Sequence, residues 1–380
     1  MKLETLTYSA TAGWSARPFP SLDSPTTLVI AFGASSFASN PAPIRELKAA
    51  YPKSSVMGCS TSGEIFGTDL SDDTISVAIA RFDSSSLATA RASVTTSDDS
   101  FAAGRSLAER LVRDDLKAVL VLSDGLKVNG SELVRGLNSI LPESVIVTGG
   151  LAGDGDRFNQ TWVVDDDDPR SGIVSAVGLY GDRLHIGHGS KGGWDRFGPE
   201  RLVTRSKGNV LYELDGKPAL ELYKQYLGER ATGLPATGLL FPLALRADRN
   251  DSKLLVRTIL GVDEATQSMT FAGDIPQGHL AQLMRANFER LIEGASQAAD
   301  HTLALTSAPD AVTLAIAISC VGRRLILGER TEEEIEAVLS ALPKRTKQIG
   351  FYSYGEISPF ATGRCDLHNQ TMTLTTISEI

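Results

Sequence analysis

Apolar and polar positions follow the same order in three stretches of the chain. Each has an apolar run, a Gly/Ser turn, an amphipathic helix stopped by proline, a second apolar run, and a glycine turn carrying a carboxylate. The first reads LVIAFGAS from Leu28, a helix with Ile44, Leu47 and Tyr51 on one stripe, a stop at Pro52, then SVMGCSTSGEI ending at Ile65. The second opens at Ala118 with AVLVLSDG, continues in a helix from Ser131 carrying Val134, Leu137 and Leu141, stops at Pro142 and closes with VIVTGGLAGD. The third opens at Thr313 with TLAIAISCVGR. Thr331 and Glu334 then form a capping box ahead of a helix with Ile335, Val338, Leu339 and Leu342, and Pro343 precedes IGFYSYGEI. From proline to closing glycine the spacing is 6, 7 and 7 residues (52 to 58, 142 to 149, 343 to 350). Segments 58–65 and 350–357 share the pattern G-x-x-[ST]-x-G-E-I, which points to duplication of one strand–helix–strand block.

Strands alternating with helices predict an α/β fold, and 74–82 and 202–214 read as hairpin strands that make the sheets mixed. The expectation is two domains of mixed β-sheets flanked by helices, 1–205 and 206–380, divided at the polar turn near residue 205. In the second domain one helix starts at Pro218 with Ala219, Leu222, Tyr223 and Tyr226 inward. Another is predicted over 276–295, with Leu280, Leu283, Met284, Phe288, Leu291 and Ile292 on a broad stripe. Four aspartates at 165–168 lack calcium-loop spacing and read as a solvated turn.

Composition changes this picture little. A length of 380 residues suits two to three domains, and 37 Lys+Arg against 46 Asp+Glu give a net charge of −9, which disfavours nucleic acid and anionic membrane as partners. Cys59, Cys320 and Cys365 lie far apart and are odd in number, as expected in a reducing compartment. The first residues have no signal-peptide core, and the most apolar stretch, 311–321, is too short to cross a bilayer. A cytoplasmic protein without direct membrane insertion is expected.

The stretches GCSTSGEIFG (58–67), GGLAGDG (149–155), NVLYELDGKPALELY (209–223), SCVGR (319–323), GFYSYGEI (350–357) and LHNQTMTL (367–374) together resemble the FIST family, the F-box and intracellular signal transduction proteins. The matches fall in family order over about residues 25–375 and cover its N-terminal and C-terminal domains. The resemblance implies a sensory module that binds a small ligand, such as an amino acid, and signals to a separate partner. Such partners include a histidine kinase, a cyclic-dinucleotide enzyme or a chemotaxis-type protein. No attached output domain is expected here. Some members resemble haem-bound nitric-oxide sensors of the NosP type, which makes haem the alternative ligand. His185 and His188 sit three apart in a strand and point to opposite faces, while His279 and His301 read as surface residues. His368, inside LHNQTMTL, is the best candidate for an axial ligand or for a hydrogen bond to another ligand.

The turns supply the candidate chemistry. Glycines such as Gly149 and Gly150 leave backbone N–H groups open to an anion, and Ser60, Thr61, Tyr352 and Tyr354 add hydroxyls. Glu64, Asp154 and Glu356 stand at equivalent places, where they accept from a ligand amine or cap a helix; the residues alone leave both open. Arg323 suits a ligand carboxylate or phosphate, with a salt bridge to Glu356 or Asp366 as its structural alternative. Cys320 reads as pocket lining, and Tyr352 and Tyr354, two apart in a strand, are expected on one face, where adjacent strands bring them together with Arg323 and His368 in one pocket built from the glycine turns of both domains. The chain lacks a GxSxG elbow, a Walker loop and an HExxH motif. A hydrolytic enzyme built on Ser123, Cys59 and His368 is therefore the weakest of the readings, and no catalytic residue is assigned.

Overall fold

The computed structural model describes all residues except 167, 252, 304–310 and 360–363. Asp167 of the four-aspartate turn is thus outside it, and the rest of that run forms the tip of a hairpin between Val163–Asp165 and Asp168–Arg170.

The duplicated block is present three times, in three sheets of one design. Each sheet has a first and a second strand in parallel, a return strand antiparallel to the first, and an edge strand antiparallel to the return. The first strands are Thr27–Ala34, Leu116–Ser123 and Thr313–Cys320, and the second strands are Ser55–Thr61, Ile146–Leu151 and Thr346–Ser353. Return strands are Thr74–Arg81, Ile173–Tyr180 and Met372–Glu379; edge strands are Lys2–Ser9, Ser86–Ser93 and Leu184–Lys191.

After each second strand the chain leaves its own sheet. The crossing strand Glu64–Phe66 of unit one pairs with the second strand of unit three, Gly355–Pro359 of unit three with that of unit two, and Val163–Asp165 of unit two with that of unit one. The exchange closes a ring, so none of the three sheets is complete without a neighbour.

Alternation along the first strands explains the core. Leu28, Ile30 and Phe32, with Leu120 and Leu122 and with Ile316 and Ile318, face one shared centre. Val29 and Ala31 face outward onto α1 (Ala42–Ala50) through Ile44 and Leu47. Val119 and Val121 pack the same way on α2 (Ser100–Leu111) and α3 (Gly130–Asn138). These strands are buried on both faces, which is why they read as unbroken apolar runs.

An insertion interrupts unit three. Between its edge strand and α5 (Phe288–Leu303), residues 195–285 form an antiparallel sheet with α4 (Ala219–Leu227) and a separate core of Val203, Leu211, Tyr223, Phe241, Met269 and Phe271. The expected boundary at 205/206 falls inside the strand Asp195–Lys207. The helix expected over 276–295 is instead a strand, Leu280–Arg285, followed by α5. Ala281 and Leu283 point inward and pairing to Leu243–Arg246 fixes the strand, while Asn287 caps the helix. His279 accordingly lies in a turn.

Candidate functional site

The turn glycines hold the units together. Gly58, Gly149 and Gly350 each face a residue of the parallel first strand: Ala31, Val121 and Ala317. A Cβ at these glycines would lie 2.3, 1.8 and 1.9 Å from the facing carbonyl oxygen, and one at Gly150 would meet the Ile318 side chain at 3.0 Å. Gly149 and Gly150 thus serve close backbone packing and do not present amides to a ligand.

The carboxylates at the turns also tie the fold. Glu64 accepts from the Thr61 hydroxyl and from Thr74 N (3.0 Å) and Oγ1 (2.9 Å). Glu356 repeats the arrangement with Ser353 Oγ (2.8 Å) and Thr371 N (3.2 Å) and Oγ1 (2.8 Å). Each fastens the start of a return strand to the turn. Burial pushes Glu64 up to about 7 and Glu356 up to about 8. In unit two Asp124 takes this role, accepting from Ser171 Oγ and Gly172 N. Asp154 instead orders the next loop through Asn159 N and Gln160 N and accepts from the Tyr354 hydroxyl. Ser60 Oγ accepts from Trp162 N, seating the crossing strand.

Arg323 is structural and does not face a ligand. It lies in α6 (Val321–Leu327) and is wholly buried, and its ion pair is with Glu334 of α7 (Thr331–Ala341), not with Glu356 or Asp366. Nε donates to Glu334 at 2.7 Å, Nη1 to the Gly192 and Gln370 carbonyls, and Nη2 to the Leu291 carbonyl at 2.8 Å, while Nη2 also stands in ion-pair contact with Glu334. Four donations and the ion pair hold the guanidinium inside the fold. Glu334 is not a cap: Thr331 is already helical, and the carboxylate turns inward to take Ser319 Oγ and the Tyr352 hydroxyl.

Tyr352 and Tyr354 do not share a face. The first ends a second strand and the second sits at the crossover into another sheet, so Tyr352 reaches Glu334 while Tyr354 stacks on Phe158 with ring centroids 4.5 Å apart.

The predicted residues therefore do not form one pocket. Cys320 and Tyr354 line a cavity of about 550 Å³ between the ring and the insertion. Thr61 and Glu64 line an adjoining one of about 590 Å³ with Arg157, Arg324 and Asp72, and the two share Asp156, Val321 and Leu325. Both open at the carboxyl ends of the parallel strands, where α/β sheets place their ligands. His368 lines a third, about 610 Å³, on the other side of the insertion with His301, Trp194 and Thr371.

The sequence reading missed most walls of the first cavity: Phe158, residues 233–236, Leu239, 258–260, Ala272 and Leu325. The apolar, Gly/Pro-broken run GLPATGLLFP (233–242), which fits neither helix nor strand period, is the signal that marks it.

The histidine chosen for haem is not left free by the fold. His368 Nε2 lies 3.0 Å from the Ser358 carbonyl, so it carries the proton, and burial holds the ring neutral with its pKa down to about 4. Nor do the candidate nucleophiles meet a base. Ser123 Oγ donates to the Asp124 carbonyl, and Cys59 is sealed in the central core with burial raising its thiol well above the usual range.

Comparison with known proteins agrees with the resemblance in sequence. The FIST N domain matches residues 27–217 and the FIST C domain residues 219–359. The chain belongs to the FIST family. Its domains are sensory, signal-transduction domains. Two uncharacterised proteins of Mycobacterium tuberculosis, from strains CDC 1551 and H37Rv, are 26% identical over 265 residues, covering 67% of this chain and 66% of theirs. The match thus spans just under two thirds of those relatives. A cyanuric acid hydrolase from A. caulinodans aligns over 100% of this chain and 98% of its own at 9% identity, but a TM-score of 0.37 says nothing about activity. No helix among the described residues is long and apolar enough to cross a membrane.

Proposed function

We propose that this FIST protein is a non-enzymatic sensor that takes a small-molecule ligand into the cavity between ring and insertion and reports its occupancy to a separate signalling protein. One observation carries the reading. Phe158, Leu260 and Leu325, exposed by 47%, 45% and 45%, all rim this cavity, so large apolar side chains are held in water around one opening.

The route out of the site supports a sensor. One wall belongs to the ring (Cys320, Val321, Gly322, Leu325, Tyr354) and the facing wall to the insertion (233–236, Leu239, 258–260, Ala272). Arg323 follows Gly322 directly and holds both chain connections of the insertion, Gly192 before it and Leu291 after it. A molecule touching both walls thus biases the angle between the two bodies, which a partner such as a histidine kinase or a cyclic-dinucleotide enzyme reads as a surface. Three buried free thiols suit the cytoplasm.

Native mass spectrometry of protein taken from cells tests the reading. A bound small molecule is expected in the parent and absent from Ala236→Trp, which fills the cavity. Retention of the adduct in Ala236→Trp, or none in the parent, counts against it.

A further inference from the structure

Once the cavity between ring and insertion is taken as the ligand site, its lining also narrows the chemistry of the occupant. A zwitterion needs a cation for its carboxylate, and the lining contains no Lys, Arg or His. Its one charged residue, Asp156, is exposed at the rim. Of the neighbouring arginines, Arg157 is turned away to the Ser35 hydroxyl at 3.1 Å, and the other two are held more firmly. Arg323 is buried and held by Glu334 and three carbonyls, and Arg324 by both carboxylate oxygens of Asp72 (2.8 and 2.6 Å) and by the Ser62 carbonyl (2.6 Å). Burying a carboxylate without a partner costs several kcal/mol, more than a small apolar side chain returns.

The polar groups at depth narrow the choice further. The Tyr354 hydroxyl donates to Asp154 and accepts from Phe158 N. Burial pushes the Cys320 thiol up to about 12, which keeps it a neutral, weakly polar surface. That leaves Thr258. It is 5% exposed, and its Oγ1 is buried without any hydrogen-bond partner. Thr258 lines the cavity while its Oγ1 is sealed behind the wall, and rotation about χ1 turns the hydroxyl, which both donates and accepts, toward a ligand head. Around it stand Leu234, Pro235, Leu239, Ile259, Val321 and the Phe158–Tyr354 stack.

We infer that the ligand is a neutral, largely apolar small molecule with a single hydrogen-bonding head, of the alcohol or primary-amide class, whose head is read by Thr258 Oγ1. Amino acids, the ligands expected from the sequence, are excluded from this cavity by the missing cation.

A displacement assay separates the alternatives. The apolar dye N-phenyl-1-naphthylamine is bound to the full chain and followed by fluorescence, and hexanamide is compared with norleucine, which shares its chain length but is a zwitterion. Hexanamide is expected to displace the dye at concentrations at least tenfold below those of norleucine. Thr258→Val is expected to weaken hexanamide roughly fivefold to tenfold, the worth of one hydrogen bond, while changing dye affinity less than twofold. Leu325→Glu and Leu260→Glu alter exposed rim positions, so each is expected to keep the parent's circular dichroism and melting temperature while losing the dye. Displacement by norleucine at or below the hexanamide concentration in the parent, with dye binding lost in Leu325→Glu, overturns the neutral class but leaves the cavity as the ligand site. No saturable dye binding, or binding unchanged in both rim variants, overturns the site itself and the class with it.

Discussion

Arg323 shows how much a single residue's role depends on its surroundings. In the sequence it is a cation following a strand, suited to a ligand anion. In the fold it is a sealed guanidinium spanning Glu334 and the carbonyls of Gly192, Leu291 and Gln370. Removing one partner of a buried pair strands the other charge, so Arg323→Ala is expected to cost about 3–5 kcal/mol, seen as a lower urea midpoint. Arg323→Lys should recover little, because an ammonium has three donors and no planar fork. A midpoint within experimental error of the parent for Arg323→Ala would return the residue to the ligand. The buried carboxylates make a second prediction. Glu356 titrates near 8 in the folded protein against an ordinary 4.5, so the folded state binds its proton more tightly than the unfolded chain does. Its contribution to stability is greatest below the unfolded value and is lost as pH rises through about 8. Glu64, near 7, follows the same sign, whereas His368, near 4 against 6.5, loses stability as pH falls below 6.5. Urea unfolding of the parent and Glu356→Gln at pH 6.5 and 8 should therefore show a steeper decline in the parent; parallel slopes would refute the assignment.

At the scale of elements, the repeated blocks were legible because period and punctuation agreed: apolar runs buried on both faces, helices ending just before Pro52 and Pro343 and at Asn138 ahead of Pro142, and glycines placed where a Cβ meets a carbonyl. Gly149→Ala and Gly350→Ala are accordingly expected to abolish or severely reduce soluble folded protein. Gly261→Ala, with nothing within 4 Å of the added atom, should melt like the parent; expression and thermal melts distinguish them. The sequence was misleading where one pattern served two structures. The stripe from Leu280 to Ile292 suits a helix, yet Ala281 and Leu283 also alternate as a strand, and pairing with Leu243–Arg246 decides the matter through partners about 40 residues away in the chain. Tyr352 and Tyr354 obey strand alternation only if the strand continues, and the crossover between them breaks it. Cavity walls were the least legible part, since 233–242 and 258–260 become neighbours of Cys320 and Tyr354 only through the packing of the insertion on the ring.

At the scale of the molecule, three sheets complete one another through exchanged strands to make a ring, and the insertion meets it at its two connections and through contacts such as Asp274 with Asn129 and Ser131 and Lys253 with Asp366. The connections pass closely: a Cβ on Gly193, itself at φ 74°, would lie 2.0 Å from the Arg290 carbonyl. Arg323 holds the carbonyls on both sides of this crossing, and Arg257 of the insertion donates back to the Leu367 carbonyl at 2.9 Å. The central claim is that occupancy of the cavity is felt by both bodies and at this crossing. Hydrogen-exchange mass spectrometry of the full chain with and without N-phenyl-1-naphthylamine tests it most directly. The account predicts added protection in 233–239 and 258–260 of the insertion, in 320–325 of the ring, and at 192–194 and 290–292, which do not line this cavity. Protection confined to one wall, or exchange at the crossing unchanged while both walls are protected, would contradict it.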